Sequence, residues 1–229
     1  MDFEDGTIRF CIDFIYLNSV SNFDSYSAPR IDDMIERLCK VKYLTTINLC
    51  KGYWQVPLAE QSRELTAFRT PWGLVQFKVL PFGLHGAPAT FQRLMDQVLS
   101  GCDDYAGAHL DDIVIYSATW EENLHHLKEV LERIHFAGLT INPAKCAFAR
   151  PEAEYLGFIT GNGLIKSQVN KVNAMESCPQ LQIRKQLRSF LGMAGFYHRF
   201  IPNFLARAAP LTDMTEQGLP TRFNGWRRQ

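Results

Sequence analysis

At 229 residues, 46% hydrophobic and 21% charged, the chain is long and apolar enough to bury a core, which sets aside a disordered or low-complexity protein. Its six cysteines (Cys11, Cys39, Cys50, Cys102, Cys146 and Cys178) lie far apart without a Cys-x-x-Cys pair, so a zinc knuckle and a secreted disulfide framework are disfavoured and reduced, mostly buried thiols are expected. The zero net charge hides an asymmetry: residues 1–120 carry 10 Lys+Arg against 15 Asp+Glu and residues 121–229 carry 14 against 9, a pattern that fits a polyanion-facing second half or simply an unevenly charged surface. The polar, acidic stretch from Met1 to Arg9 and the lack of any apolar run near ~18 residues predict neither a signal peptide nor a membrane span, hence a protein of the cytoplasm or nucleus.

In chain order, Phe10 to Phe14 reads as a strand after the turn Glu4-Asp5-Gly6-Thr7. Ile31 to Leu38 repeats apolar residues at helical spacing, with Pro29 just before it and Asp32 and Asp33 in its first turn. Tyr43 to Leu49 is a strand-like run that delivers Asn48 to an exposed end before Lys51-Gly52. Two strand-like runs between Phe68 and Val79 flank Pro71-Trp72-Gly73 and predict a hairpin. Ala87 to Leu99 places Phe91, Leu94, Met95 and Val98 on one helical face and tolerates Pro88 in its first turn. Tyr105 to Leu110 and Ile113 to Tyr116 read as strands joined by a tight turn that holds both Asp111 and Asp112. Glu121 to Phe136, with Leu124, Leu127, Leu131 and Ile134 on one face, is a helix closed by Gly138. The order strand, helix, hairpin, helix, strand predicts an α+β fold with a split β-α-β, ferredoxin-like core. After a turn at Gly161-Asn162-Gly163, residues 167–205 become helical, with basic residues scattered through them.

Two adjacent carboxylates repel unless something positive neutralises them, and Mg²⁺ held by one or two carboxylates plus a substrate's phosphates is the natural solution. Alone, an Asp-Asp pair is more often an exposed turn. Its company decides the matter. Lys51-Gly52-Tyr53-Trp54-Gln55-Val56-Pro57-Leu58, Leu80 to Gln92 (with Pro81-Phe82-Gly83-Leu84-His85-Gly86-Ala87-Pro88), and Leu110-Asp111-Asp112-Ile113-Val114-Ile115-Tyr116-Ser117 resemble the ordered motifs of reverse transcriptases of gypsy-type long-terminal-repeat retrotransposons. The resemblance continues through Gly138 to Cys146, Glu154 to Phe158 and Phe190 to Pro202.

The resemblance implies a right-hand polymerase with partial fingers at 1–22 and 58–80, a palm at 23–57 and 81–160, a helical thumb at 161–213, and at 214–229 the start of a connection to a ribonuclease H domain outside this chain. It implies primer extension on an RNA or DNA template from deoxynucleoside triphosphates, with two Mg²⁺ ions for which Mn²⁺ can substitute. Asp111, Asp112 and the Leu49 backbone carbonyl would hold metal. Tyr53 would sit under the incoming sugar, and Arg9 would meet the triphosphate. Phe82, Gly83 and Gly86 would pack near template and incoming base, and Lys145 would donate a proton to pyrophosphate. Tyr155, Leu156, Gly157 and Phe158 would grip the primer, and Lys166, Lys171, Arg184, Lys185 and Arg188 would track a duplex backbone.

The chain departs from that pattern at several positions. Asn48 stands where the family has a metal-binding aspartate, and an amide brings no charge to a site whose work is electrostatic and positional. His109 replaces the tyrosine of Tyr-x-Asp-Asp, Ile15 a basic residue, and Phe3-Glu4 a Lys-Lys pair. The resemblance therefore implies a weak or silent polymerase, or else a nucleic-acid-binding remnant that uses no chemistry.

Overall fold

The computed structural model describes residues 11–38 and 41–215. In chain order these form α1 (Ile15–Val20), α2 (Ile31–Leu38), β1 (Tyr43–Asn48), a 3-10 turn (Gly52–Gln55), α3 (Glu60–Arg63), β2 (Phe68–Thr70), β3 (Gly73–Val75), α4 (Ala87–Val98), β4 (Ala106–His109), β5 (Asp112–Ser117), α5 (Trp120–Phe136), β6 (Ala147–Arg150), β7 (Glu152–Tyr155), β8 (Phe158–Gly161), β9 (Leu164–Ser167), α6 (Val169–Glu176), α7 (Arg184–Phe196) and α8 (Phe204–Asp213). The chain divides into two compact units, residues 1–156 with 160–165, and residues 157–159 with 166–229.

The first unit is built on an antiparallel sheet ordered β4-β5-β1-β6. With α4 leading from β1 to β4 and α5 from β5 to β6, this is the split β-α-β arrangement that the sequence predicts. Strand β5 is buried from Ile113 to Ser117 because both faces of the sheet are covered. The strand period sorts its side chains. Ile113 and Ile115 join Ile47, Phe91, Met95, Val130 and Ile134 on one face, while Val114 and Tyr116 join Met34, Leu38, Leu44 and Tyr155 on the other. Each large aliphatic so enclosed contributes roughly 1.5–3 kcal/mol, which is why β1 and β5 hold a single register, from Tyr43 opposite Ser117 to Asn48 opposite Asp112.

Three local expectations change. The described part of the Phe10–Phe14 run, residues 11–14, is not a strand; the Asp13 carboxylate accepts from the Ile15 N–H at 2.8 Å and starts α1, and Phe14 is buried as a single anchor. Asp112 is the first residue of β5, so the turn holds only one of the two carboxylates. On α5 the buried residues are Asn123, Val130 and Ile134, while Leu124 is 49% exposed. Asn123 turns inward because its amide bridges the Thr45 and Ser117 hydroxyls across the sheet. The start of this helix is firm: the Thr119 hydroxyl accepts from the Glu122 N–H at 3.2 Å while Glu122 reaches back to the Thr119 N–H.

In the second unit α6, α7 and α8 follow one another, and Phe158 stacks on Phe196 at 5.1 Å beside Tyr197 and Phe200. The Tyr197 hydroxyl donates to the Gly157 carbonyl at 2.8 Å. The described cysteines are free thiols as expected, but only Cys102 is fully buried. No described helix is long and apolar enough to cross a membrane.

Candidate active site

The turn that joins β4 to β5 is held from three sides. The Leu49 N–H donates to the Asp111 carbonyl at 3.0 Å, and the buried Tyr155 hydroxyl donates to the Asp112 carbonyl at 3.1 Å. From α4, the Gln92 side chain accepts the Leu110 N–H at 2.8 Å. Leu110 carries a left-handed backbone (φ 56°), as does Lys51 (φ 58°) at the end of the neighbouring strand. Non-glycine residues in this region cost on the order of 1–3 kcal/mol and persist only where surrounding structure enforces them.

Asn48 and Asp112 are register partners, and the Asn48 amide Nδ2 donates to Asp112 Oδ1 at 2.6 Å. A second carboxylate at position 48 would face Asp112 as a like charge; the amide satisfies it with a proton. Asp111 lies on the other side of the turn. Burial holds its carboxyl above the usual range, the Asp112 charge adds to this, and Lys145 and His109 oppose it. Gly52 is packed against it: a Cβ there would lie 3.4 Å from Asp111 Cβ, on a backbone with φ +28°. Lys145 is exposed and shares with Asn48, Asp112, Glu154 and Tyr155 the lining of a cavity of about 210 Å³.

Tyr53 is half-buried, with its ring 5.4 Å from Phe82 and 5.5 Å from Phe91, and burial together with the Asp111 charge holds its hydroxyl above the usual range. Two amide side chains clamp the surrounding loops. Gln55 donates to the Cys50 and Thr140 carbonyls and accepts the Thr140 N–H at 2.6 Å, tying the Tyr53 turn to the segment that leads to Lys145. Asn18 donates to the Gly83 carbonyl at 2.8 Å and accepts the His85 N–H at 3.0 Å, fixing the 82–86 loop from α1. A Cβ at Gly83 (φ +99°) would press on the Ile12 carbonyl at 3.2 Å and the Phe14 ring at 3.3 Å, whereas one at Gly86 would meet nothing. Gly86 thus leaves open space, and Gly83 answers to its own fold. Gln55 and Gln92 fall within the quoted motifs without an expected role and Asn18 lies outside them, because an amide's two-sided hydrogen bonding to distant backbone has no local signature.

The structure therefore gathers Asn48, Leu49, Tyr53, Asp111, Asp112 and Tyr155 around one turn, with Lys145 in Coulombic reach. Arg9 lies outside the described residues, as do Phe3 and Glu4. Of the residues expected to meet primer and duplex, Leu156 is half-buried with a left-handed backbone (φ 46°). Gly157 packs on Phe196 and Tyr197, and Phe158 is core to the second unit. Lys166, Lys171, Lys185 and Arg188 are exposed and Arg184 is half-buried. Arg188 also donates to the Thr215 carbonyl at 2.6 Å.

Among the described residues no cluster of three or more His, Cys, Asp or Glu side chains suits a metal ion. The donor set at the turn is two carboxylates and an amide whose nitrogen already points at one of them. Such a set is matched to at most one dication and does not fit a pair.

Comparison with known proteins bears on the fold and the family. The solved foamy viral protease-reverse transcriptase dRH in complex with double-stranded DNA superposes with a TM-score of 0.88 at 25% identity, over 98% of this chain and 40% of that one. The fold is thus that of right-hand polymerases. Residues 4–160 match the family described as reverse transcriptase (RNA-dependent DNA polymerase). The Drosophila melanogaster Pol polyproteins of transposons 297 and gypsy are 38% and 37% identical to this chain over 89% and 90% of its length. The chain belongs to the reverse transcriptase family, of the kind found in retrotransposon Pol polyproteins. It spans about a fifth of the length of those relatives, 19% and 20%.

Proposed function

We propose that this chain is a primer–template-binding reverse transcriptase domain whose nucleotidyl transfer is strongly attenuated at Asn48. The observation that carries this is the 2.6 Å hydrogen bond from the Asn48 amide to Asp112. In the parent family two divalent ions, Mg²⁺ or Mn²⁺, serve template-directed transfer from deoxynucleoside triphosphates, and three carboxylates offset their charge. Here one carboxylate is replaced by a neutral donor that engages a second. The transition state of phosphoryl transfer is stabilised almost wholly by position and charge, so this exchange removes what the reaction most needs. A barrier raised by ~4 kcal/mol slows a reaction about a thousandfold.

The remaining assignments follow the same reading. Residues 23–57 and 81–160 serve as palm and 58–80 as part of the fingers, with 161–213 as thumb. Tyr53 would meet the incoming sugar, a role supported by its packing against Phe82 and Phe91 near Asp111. The exposed Lys166, Lys171, Lys185 and Arg188 suit the phosphates of a duplex, RNA or DNA. Duplex affinity should then fall with salt whether or not chemistry survives.

The test is Mg²⁺-dependent primer extension on a homopolymer RNA template, with the chain as it stands beside Asn48→Asp and Asp111→Asn. Extension by Asn48→Asp alone is expected. Extension by the unaltered chain, abolished by Asp111→Asn, would show that the amide suffices and overturn the proposal.

A further inference from the structure

Among the described residues strand β4 is an edge of its sheet, so the backbone groups on its outer side have no neighbouring strand there to meet. Next to the Asp111 turn, one side chain fills that need. Gln92 has no exposed surface; its Oε1 accepts the Leu110 N–H at 2.8 Å, and its Nε2 donates to the Ala108 carbonyl at 3.0 Å and to Asp96 Oδ1 at 2.8 Å. It offers a donor to Ala108 of β4 and an acceptor to Leu110 in the turn just beyond it, the alternate residues another strand would meet. The anchor runs further: the Tyr26 hydroxyl donates to the second oxygen of Asp96, and Arg93 grips Asp24 at 2.8 Å while lying 4.7 Å over the Tyr26 ring. An apolar residue of similar size would fill the same space beside Phe91 and Met95 without desolvating an amide. What the amide adds is direction, because the residue it holds, Leu110, has a left-handed backbone and directly precedes Asp111.

We infer that Gln92 is a positioning residue for the acidic turn: backed by Asp96 and Tyr26, it locks the Leu110 peptide and thereby aims the Asp111 carboxylate. Without it the Leu110 peptide is free to rotate out of its strained conformation, and Asp111 loses its fixed direction while the β1–β5 ladder stays intact. The kinetic arm of the test rests on the reading of Asp111 as a catalytic carboxylate. The exchange arm does not.

In the full chain, amide hydrogen exchange read residue by residue compares the parent with Gln92→Leu, Gln92→Glu, and Gln92→Glu combined with Asp96→Asn. For Gln92→Leu the Leu110 amide should exchange about tenfold faster or more, with Ile113 and Ile115 changing less than about twofold. Gln92→Glu alone sets two carboxylates against each other and should fall between. Adding Asp96→Asn turns position 96 into a donor toward the new carboxylate and should restore Leu110 protection to within about threefold. In the Asn48→Asp background, Gln92→Leu should lower the maximal rate of single-nucleotide incorporation by about thirtyfold while the KM for the nucleotide stays within about threefold, the split expected when geometry rather than binding is lost. Unchanged Leu110 exchange, a uniform rise across β5, or failure of the paired exchange to restore protection would each overturn the inference. If Gln92→Leu does not fold, the Glu and Glu–Asn pair decides. If Asn48→Asp extends no primer, the fault lies with the functional reading, and the exchange result still stands.

Discussion

Asp111 and Asp112 are neighbours in the chain, yet the structure gives them opposite surroundings. Asp112 begins β5, takes a hydrogen bond from Asn48 at 2.6 Å and has its carbonyl held by Tyr155. Asp111 leaves the ladder, lies against Gly52 near Tyr53, and is disfavoured as an anion by burial and by Asp112. Asp112 is met by a side-chain amide, whereas Asp111 is met by its own backbone and by the longer-range charges of Lys145 and His109. That difference teaches how one turn can treat two like charges unequally: burial and Asp112 raise the Asp111 carboxyl, while Asp112 is met by a directed amide donor.

The comparison breaks most completely if Asn48 becomes aspartate. Asn48→Asp should raise Mg²⁺-dependent primer extension by about a thousandfold, equivalent to ~4 kcal/mol, and in chelator it should melt below the parent because Asp112 exchanges a donor for a like charge. Divalent cation should then raise its melting temperature more than the parent's, as a ligand that binds only the folded state must. Removing the acceptor instead, Asp112→Ala, leaves the Asn48 amide without its partner and should cost about 2 kcal/mol in denaturant titration. Tyr155→Phe deletes one neutral hydrogen bond to the same residue and should cost about 1 kcal/mol by the same measurement.

The smallest effect has the opposite sign. For an acid whose folded pKa is raised, the contribution to stability is fully present below the unfolded pKa and is lost as pH rises through the folded one. Asp111 is such an acid. Metal-free Asp111→Asn should therefore melt slightly above the parent at neutral pH, with the gap closing as the pH falls to about 4. A gap that widened on acidification would show that Asp111 is satisfied in the way Asp112 is, and the contrast would fail.

Much of this was legible beforehand. Helical spacing set Ile31–Leu38 and Ala87–Val98, and the order of elements set the split β-α-β sheet. The motifs singled out Asn48, Tyr53, Asp111 and Asp112, which the fold brings to one place. Over its described part, residues 11–14, the run at Phe10–Phe14 misled because Phe14 is the one buried residue there and no pleated face forms. On α5 the apolar stripe held at Leu127, Leu131 and Ile134 but not at Leu124, and the buried Asn123, which answers hydroxyls on β1 and β5, is a residue that no local pattern reveals.

The division follows from range. Periodicity, caps and turns are decided by residues a few positions apart, so the sequence alone determined the elements around the acidic turn, the family and the loss of charge at position 48. Which carboxylate that amide would engage was decided by a strand register spanning 64 residues, and the holding of Leu110 by Gln92 across 18. A hydrogen bond is fixed within a few tenths of an ångström. Only the packed sheet, with both faces covered, sets its partners that closely, and so only the tertiary structure could distinguish the aspartate that the amide engages from the one that burial disfavours as an anion.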